Sequence, residues 1–144
     1  MGQKSIVIDR PVHAVFARVT DLERAGDWAP QMGSIHLDGG MREGAVFYED
    51  RKILGRPANA KWVITRYEPD RVFGVSLNFG PLRGRFAYLF DAIGSTTRLT
   101  QTTDIGLTGV LGIFSPLLAR EAQKEEDTEL VRLKEILERE GQVR

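Results

Sequence analysis

The stretch from Val72 to Ile105, VFGVSLNFGPLRGRFAYLFDAIGSTTRLTQTTDI, decides the fold. Val72–Phe79 runs into Gly80-Pro81, Arg85–Ala92 runs into Gly94-Ser95, and Thr97–Ile105 follows at once. Runs of β-branched and aromatic residues closed by glycine and proline are strands between tight turns. Strands joined so tightly pair antiparallel, because a parallel neighbour needs a crossover on the order of a dozen residues. Towards the N-terminus the same texture continues. Ala60–Tyr67 stops at Glu68-Pro69-Asp70, Val46–Leu54 stops at Gly55-Arg56-Pro57, and Ile35 and Leu37 alternate with polar neighbours before Asp38-Gly39-Gly40. With Ser5–Ile8 at the start, the expectation is one antiparallel sheet of about seven strands.

The ends of the chain are helical. Pro11 suits a first helical turn, and Val12, Val15, Phe16 and Val19 recur at helical spacing. Thr20 or Asp21 is placed to cap a second short helix, Leu22 to Asp27, which Trp28-Ala29-Pro30 closes. At the far end Leu130, Leu133 and Leu137 form one apolar stripe opposite Lys134, Glu135 and Glu138. Upstream, Leu107–Leu118 is apolar, and its Ser115-Pro116 reads either as a cap and first-turn pair or as a kink in a longer helix. The fold class is therefore α+β, a single domain over residues 1–144 with two short helices after the first strand and a long C-terminal helix.

Composition bounds the function. The 144 residues, 16.1 kDa, make one domain with a sizeable core. Charge is balanced, 20 Lys+Arg against 20 Asp+Glu, so no global field draws the protein to nucleic acid or an anionic membrane. Without cysteine there is no disulfide, thiol nucleophile or thiolate metal site, and two histidines make a histidine metal centre an unpromising reading. The opening MGQKSIVIDRP lacks the apolar stretch of a signal peptide, so the expected location is cytoplasmic.

A twisted meander curls, and one helix cannot fill its whole concave face, so either large side chains plug the gap or a cavity remains. Phe73, Val75, Leu77 and Phe79 share a strand face, as do Phe86, Tyr88 and Phe90, and Trp62 with Ile64. Each ring taken singly reads as core; as a set they suit the wall of an apolar pocket.

Thr20-Asp21-Leu22 through Trp28-Ala29-Pro30, Tyr67-Glu68-Pro69, the run GSTTRLT at 94–100 and Arg132-Leu133-Lys134 fall in an order that resembles the START-like, or Bet v 1-like, superfamily (SRPBCC), in its polyketide cyclase/dehydrase and lipid-transport branch. The resemblance covers nearly the whole chain. It implies a helix-grip fold, a curved antiparallel sheet around the C-terminal helix, enclosing an apolar cavity for lipids, polyketides, sterols, quinones or hormones. It also sets Trp28 at the cavity mouth, as a plug or as a gate.

Polar groups that reach such a cavity are the candidates for chemistry. Alternation directs either Phe47, Glu49, Arg51 and Ile53 or Val46, Tyr48, Asp50 and Lys52 inward, and the expected reading is a charged edge strand with Glu49 and Arg51 facing water. Glu126 lies on the stripe Ala122, Glu126, Leu130, Leu133, Leu137, yet residues 123–129 carry no apolar side chain. A solvated charge run is expected there; an inward Glu126 needs Tyr88, Gln101 or an arginine within reach. Tyr88 and Gln101 are hydrogen-bond donors for a ligand carbonyl or hydroxyl, or mutually satisfied core polars. His13 and His36 both fall off the apolar faces and read as surface residues.

The expected function is binding or transport of a small hydrophobic ligand between sheet and C-terminal helix. Trp28, Phe47, Trp62, Phe73, Leu77, Phe79 and Phe86 are the candidate walls, with Phe114, Leu118 and Ala122 from the helical side. Tyr88, Gln101 and Glu126 are the candidates for orientation. The alternatives are a cyclase/dehydratase-type enzyme using Glu49, Glu126 or Tyr88 as acid or base, and an interaction module whose cavity its own side chains fill. No metal and no organic cofactor are expected. The expected partner is a small hydrophobic molecule, without nucleic acid and without stable membrane insertion, for a monomer or homodimer. The apolar 107–118 segment is expected to line the cavity entrance rather than touch a membrane.

Overall fold

Seven strands form one antiparallel sheet in the order β1-β7-β6-β5-β4-β3-β2. The computed structural model describes residues 2–30, 32–37, 39–53 and 56–142. Asp38 and Gly55, from two of the expected turns, and Leu54, the last residue of an expected strand, lie outside the described residues, as does the side chain of Ile53. The strands are β1 (Gly2–Ile8), β2 (Ser34–Leu37), β3 (Val46–Ile53), β4 (Arg56–Glu68), β5 (Val72–Phe79), β6 (Leu82–Ile93) and β7 (Thr96–Leu107). Strands β2 to β7 are the meander read from the turn signals, and β1 closes the far edge by pairing with β7, Ile6 opposite Leu99. The hairpin turns between β5 and β6 and between β6 and β7 use Gly80 (φ 56°) and Gly94 (φ 61°), a left-handed backbone that glycine, lacking a Cβ, adopts at no steric cost. Several strands run longer than the turn residues suggest, because the ladder continues across Arg56-Pro57 and Leu82-Arg83-Gly84.

A register shift between Ile64 and Arg66 bulges β4 against β5. A bulge bends its strand and steepens the twist, which helps the sheet curve. Gly74 faces it; a Cβ there would meet the Thr65 hydroxyl at 2.9 Å.

Helix α1 (Val12–Val19) buries Val15, Phe16 and Val19, and a short 3-10 helix (Leu22–Asp27) buries Leu22 and Ala25. Neither Thr20 nor Asp21 caps this second helix as expected. The Thr20 hydroxyl instead donates back to the Phe16 carbonyl at 2.7 Å, closing the first helix. Helix α2 (Ser115–Gln142) packs on β1 and β7. Ser115-Pro116 marks the point where a 3-10 helix (Gly109–Phe114) runs straight into α2, closer to the reading of one longer helix. Ser115 is itself helical and caps no α2 amide; its Oγ accepts instead from the Leu107 amide at 2.9 Å, tying the helix start to the end of β7.

The two halves of α2 do different work. Leu130, Leu133 and Leu137 seal the core together with Ile8, Val15, Phe90 and Leu99. The half before Leu130 stands over the concave sheet face without filling it. This is the curved sheet gripping a long helix that the sequence predicts.

Candidate functional site

The space beneath the first half of α2 is a cavity of about 390 Å³. Its floor follows from strand pairing. Phe47 of β3 pairs with Trp62 of β4, Trp62 with Leu77 of β5, and Leu77 with Gly84 of β6. Two steps along, past the Val75–Phe86 pair, Phe73 pairs with Tyr88 and Tyr88 with Gln101 of β7. Cross-strand neighbours share a face, so these side chains form a continuous inward band. Within it Phe47 and Trp62 stack with centroids 5.9 Å apart, Trp62 meets Phe86 at 5.6 Å and Phe73 stacks on Tyr88 at 6.4 Å. Gly84 matters here, since a Cβ would lie 2.9 Å from the Phe86 ring. The side wall is the 3-10 helix, from which Trp28 closes edge-on against Tyr88 at 6.3 Å. From above, Leu118 and Ala122 of α2 complete the lining.

Most of the predicted wall residues are thus brought together, with two exceptions. Phe79 lies beyond the cavity at the β5–β6 turn, packed at the rim of the core. Phe114 points outward and is 52% exposed, in a short 3-10 helix (Gly109–Phe114) that also exposes Val110 and Ile113. Within the apolar 107–118 segment, Leu118 alone lines the cavity, so the expected entrance lining is confined to that residue. The helical turn rolls the other apolar side chains away from the sheet.

The polar candidates depart further from expectation. Glu49 does not face water; it is 0% exposed. Phe47, Glu49 and Arg51 take the inner face, because Phe47 pairs with Trp62 and the strand alternates from there. The Glu49 carboxylate accepts from Trp62 Nε1 at 3.0 Å and from the Gly33 amide at 2.8 Å, with Arg51 Nη1 3.5 Å away. Three partners compensate its desolvation, and it supports the wall without lining the cavity.

Glu126 is likewise inside, at 5% exposure, and not part of a solvated run. Its partner is none of those expected: both carboxylate oxygens contact the Thr103 hydroxyl, at 2.7 and 2.8 Å. Thr103 alternates in phase with Gln101 along β7, and that phase was the available signal. Burial raises the Glu126 pKa, partly offset by the Thr103 hydrogen bond. Glu129, which the sequence reading passed over, also lines the cavity, and burial, then Glu125 and Glu126, push its pKa up to about 7. Its signal was the spacing of Glu121, Glu125 and Glu129, four residues apart along the edge of the apolar stripe. Burial, reinforced by Glu129 and Glu126, drives the Tyr88 pKa up, so its phenol stays protonated. Gln101 Nε2 donates to the Tyr88 hydroxyl at 3.2 Å. Both histidines are exposed, each beside an aspartate, His13 with Asp70 and His36 with Asp50. Among the described residues no cluster of His, Cys, Asp and Glu is arranged to hold a metal ion, and no helix is long and apolar enough to cross a membrane.

The site is therefore an aromatic cavity with a carboxylate-bearing lid helix. Similar architectures are known. A START superfamily protein from Mycobacterium smegmatis superposes with a TM-score of 0.78 at 13% identity, over 96% of this chain and 97% of that one. The Zhui aromatase/cyclase from Streptomyces sp. R1128 gives 0.76 at 14% identity, over 96% and 93%. The di-domain ARO/CYC BexL from the BE-7585A biosynthetic pathway gives 0.74 at 14% identity; 93% of this chain is covered but it spans only 45% of that one. Such low identities speak to the fold alone. No curated protein matches the sequence. Residues 2–138 do match the family described as polyketide cyclase / dehydrase and lipid transport, and with a helix-grip fold around an aromatic cavity the chain belongs to that family.

Proposed function

We propose that this protein binds or carries a small hydrophobic molecule in the cavity between the sheet and α2. The observation that carries this reading is the unfilled space of about 390 Å³ beneath a helix segment that has no apolar side chain to fill it. A self-filled core would put leucines where 123–129 stand, as it does one turn later at Leu130 and Leu133. The volume falls within the range of roughly 300–1,000 Å³ typical of small-molecule sites. The test is native mass spectrometry of the purified protein, with extraction of whatever copurifies. A lipid, quinone or aromatic adduct supports the reading. A clean apo mass, with no thermal shift across a panel of hydrophobic ligands, rejects it and favours an interaction module.

A second reading, a cyclase or dehydratase working by acid–base catalysis, draws on one further observation. Glu126, Glu129 and the Tyr88 phenol all meet the same cavity, and burial favours their protonated forms. A carboxyl whose pKa lies near neutrality, as that of Glu129 does, is suited to give and take a proton. Under this reading Glu126→Gln, Glu129→Gln or Tyr88→Phe abolishes turnover of a polyketide-like substrate with affinity largely kept. Under the carrier reading these changes only tune affinity.

A further inference from the structure

The cavity has a polar end, and the residues there specify the charge of what they hold. This inference rests on the ligand-binding reading above. Gln101 is 2% exposed, and while its Nε2 is committed to Tyr88, its Oε1 is buried with no partner. Exchanging the two ends of the amide changes which atom is spare but leaves one spare. Native interiors pair their buried polar atoms, so this side chain marks a place for a polar ligand group.

The carboxylates set the sign. Glu126 touches a single hydroxyl with both oxygens, and that hydroxyl has one proton to give, so further lone pairs stay unspent. Glu125 and Glu129 line the same cavity, Glu125 exposed at its edge and Glu129 half-buried, with Arg51 as the basic group acting on it. Glu121, also on the lining, pairs with Lys124 at 3.5 Å. Against these stand Arg51 and Lys52 of β3, and Arg51 already lies 3.5 Å from the fully buried Glu49. Once Glu126 and Glu129 are ionised, negative charge exceeds positive on the lining, and these two carboxylates are the ones withdrawn from solvent, where charge acts strongly. Trp28 Nε1, buried without a partner, is a neutral donor and asks only for an acceptor elsewhere on the ligand's body.

We infer that the ligand's polar group is a hydrogen-bond-donating cation, an amine on a flat apolar body, held by Gln101, Glu126 and Glu129. Amphiphiles with a carboxylate head, fatty acids among them, are disfavoured by the same lining.

The test compares three probes of one shape and different charge, naphthylmethylammonium, naphthylmethanol and naphthoate, titrated calorimetrically into the full chain at mildly alkaline pH. The ammonium is expected to bind about tenfold tighter than the carboxylate, with the alcohol between them. Glu126→Gln and Glu129→Gln are each expected to cut the ammonium-to-carboxylate ratio by about threefold or more. Glu129 is only half-buried, so its variant keeps the test open if Glu126→Gln does not fold. Naphthoate binding as tightly as the ammonium overturns the charge assignment and leaves the cavity reading standing. A wild-type ratio in both folded variants overturns the placement of the head group. Failure of all three probes to bind overturns the inference together with the cavity reading.

Discussion

Glu49 fixes the indole of Trp62: its Oε1 lies 3.0 Å from the indole Nε1, on a carboxylate without solvent exposure. The same carboxylate receives the Gly33 amide at 2.8 Å, so one side chain binds β4 to the segment leading into β2. Glu49→Ala strands the buried Trp62 Nε1–H and the part-buried Gly33 amide, and removes a counter-charge beside Arg51. Breaking a buried charged network from one side costs about 3–5 kcal/mol, and the urea midpoint is expected to fall accordingly. Glu49→Gln keeps the shape and one acceptor, and its expected cost is smaller, about 1–3 kcal/mol. Unchanged midpoints in both variants would show that this network does not hold the wall.

Gly33 makes the contact possible. A Cβ there would sit 1.6 Å from the Asp50 carbonyl oxygen, so any side chain displaces backbone and pulls the Gly33 amide off Glu49. Gly33→Ala is expected to lose about 2 kcal/mol or more by the same assay, since overpacking adds to a lost buried hydrogen bond. Gly26→Ala is the control, because nothing lies within 4 Å of its Cβ position, and it is expected to stay within about 0.5 kcal/mol of the parent.

The architecture was legible because turns and periodicity are local. Gly80, Gly94 and the Glu68-Pro69-Asp70 turn announce the meander, and Leu130, Leu133 and Leu137 announce the helix that closes it. The aromatic wall was legible for the same reason, since alternation along β5 and β6 is enough to put Phe73, Phe86 and Tyr88 on one face. The burial of Glu49 and Glu126 was not, because a charge is expected in water unless its partner is known. Those partners are non-local: the Gly33 amide is 16 residues from Glu49, and Thr103 is 23 residues from Glu126. Phe114 failed in the opposite sense, as an apolar residue with no partner to bury it.

Stability should depend on pH in an unusual direction. Glu129 has its pKa raised from 4.5 to about 7, by burial first and then by Glu125 and Glu126, with Arg51 opposing; the Glu126 pKa is raised as well. In that window the folded state binds more protons than the unfolded chain, so stability falls as pH rises. Glu138, lowered by its bond to Lys134, acts the other way, and its contribution is lost only as pH falls below the ordinary carboxylate range. Urea unfolding is expected to show a loss of about 1–3 kcal/mol between roughly pH 5 and pH 8. Glu129→Gln, with no proton to lose, is expected to flatten that slope. A slope unaltered by the substitution would assign the effect to other groups.

Filling the cavity from the helix side should separate folding from binding. Ala122 lines the cavity from α2 at a half-buried position, and the unfilled space beneath it gives a larger side chain room without displacing the sheet. Ala122→Phe buries a ring against Trp62 and Phe86, so stability is expected to hold or to rise by about 1 kcal/mol. Ligand occupies the same volume, and affinity for naphthylmethanol is expected to fall at least about tenfold, since ring and ligand cannot both fit. Val131→Phe puts the same ring on the exposed face of the helix and should alter neither quantity. Calorimetric titration of the two variants decides the matter: if Ala122→Phe folds and binds as the parent does, the ligand sits somewhere other than this cavity.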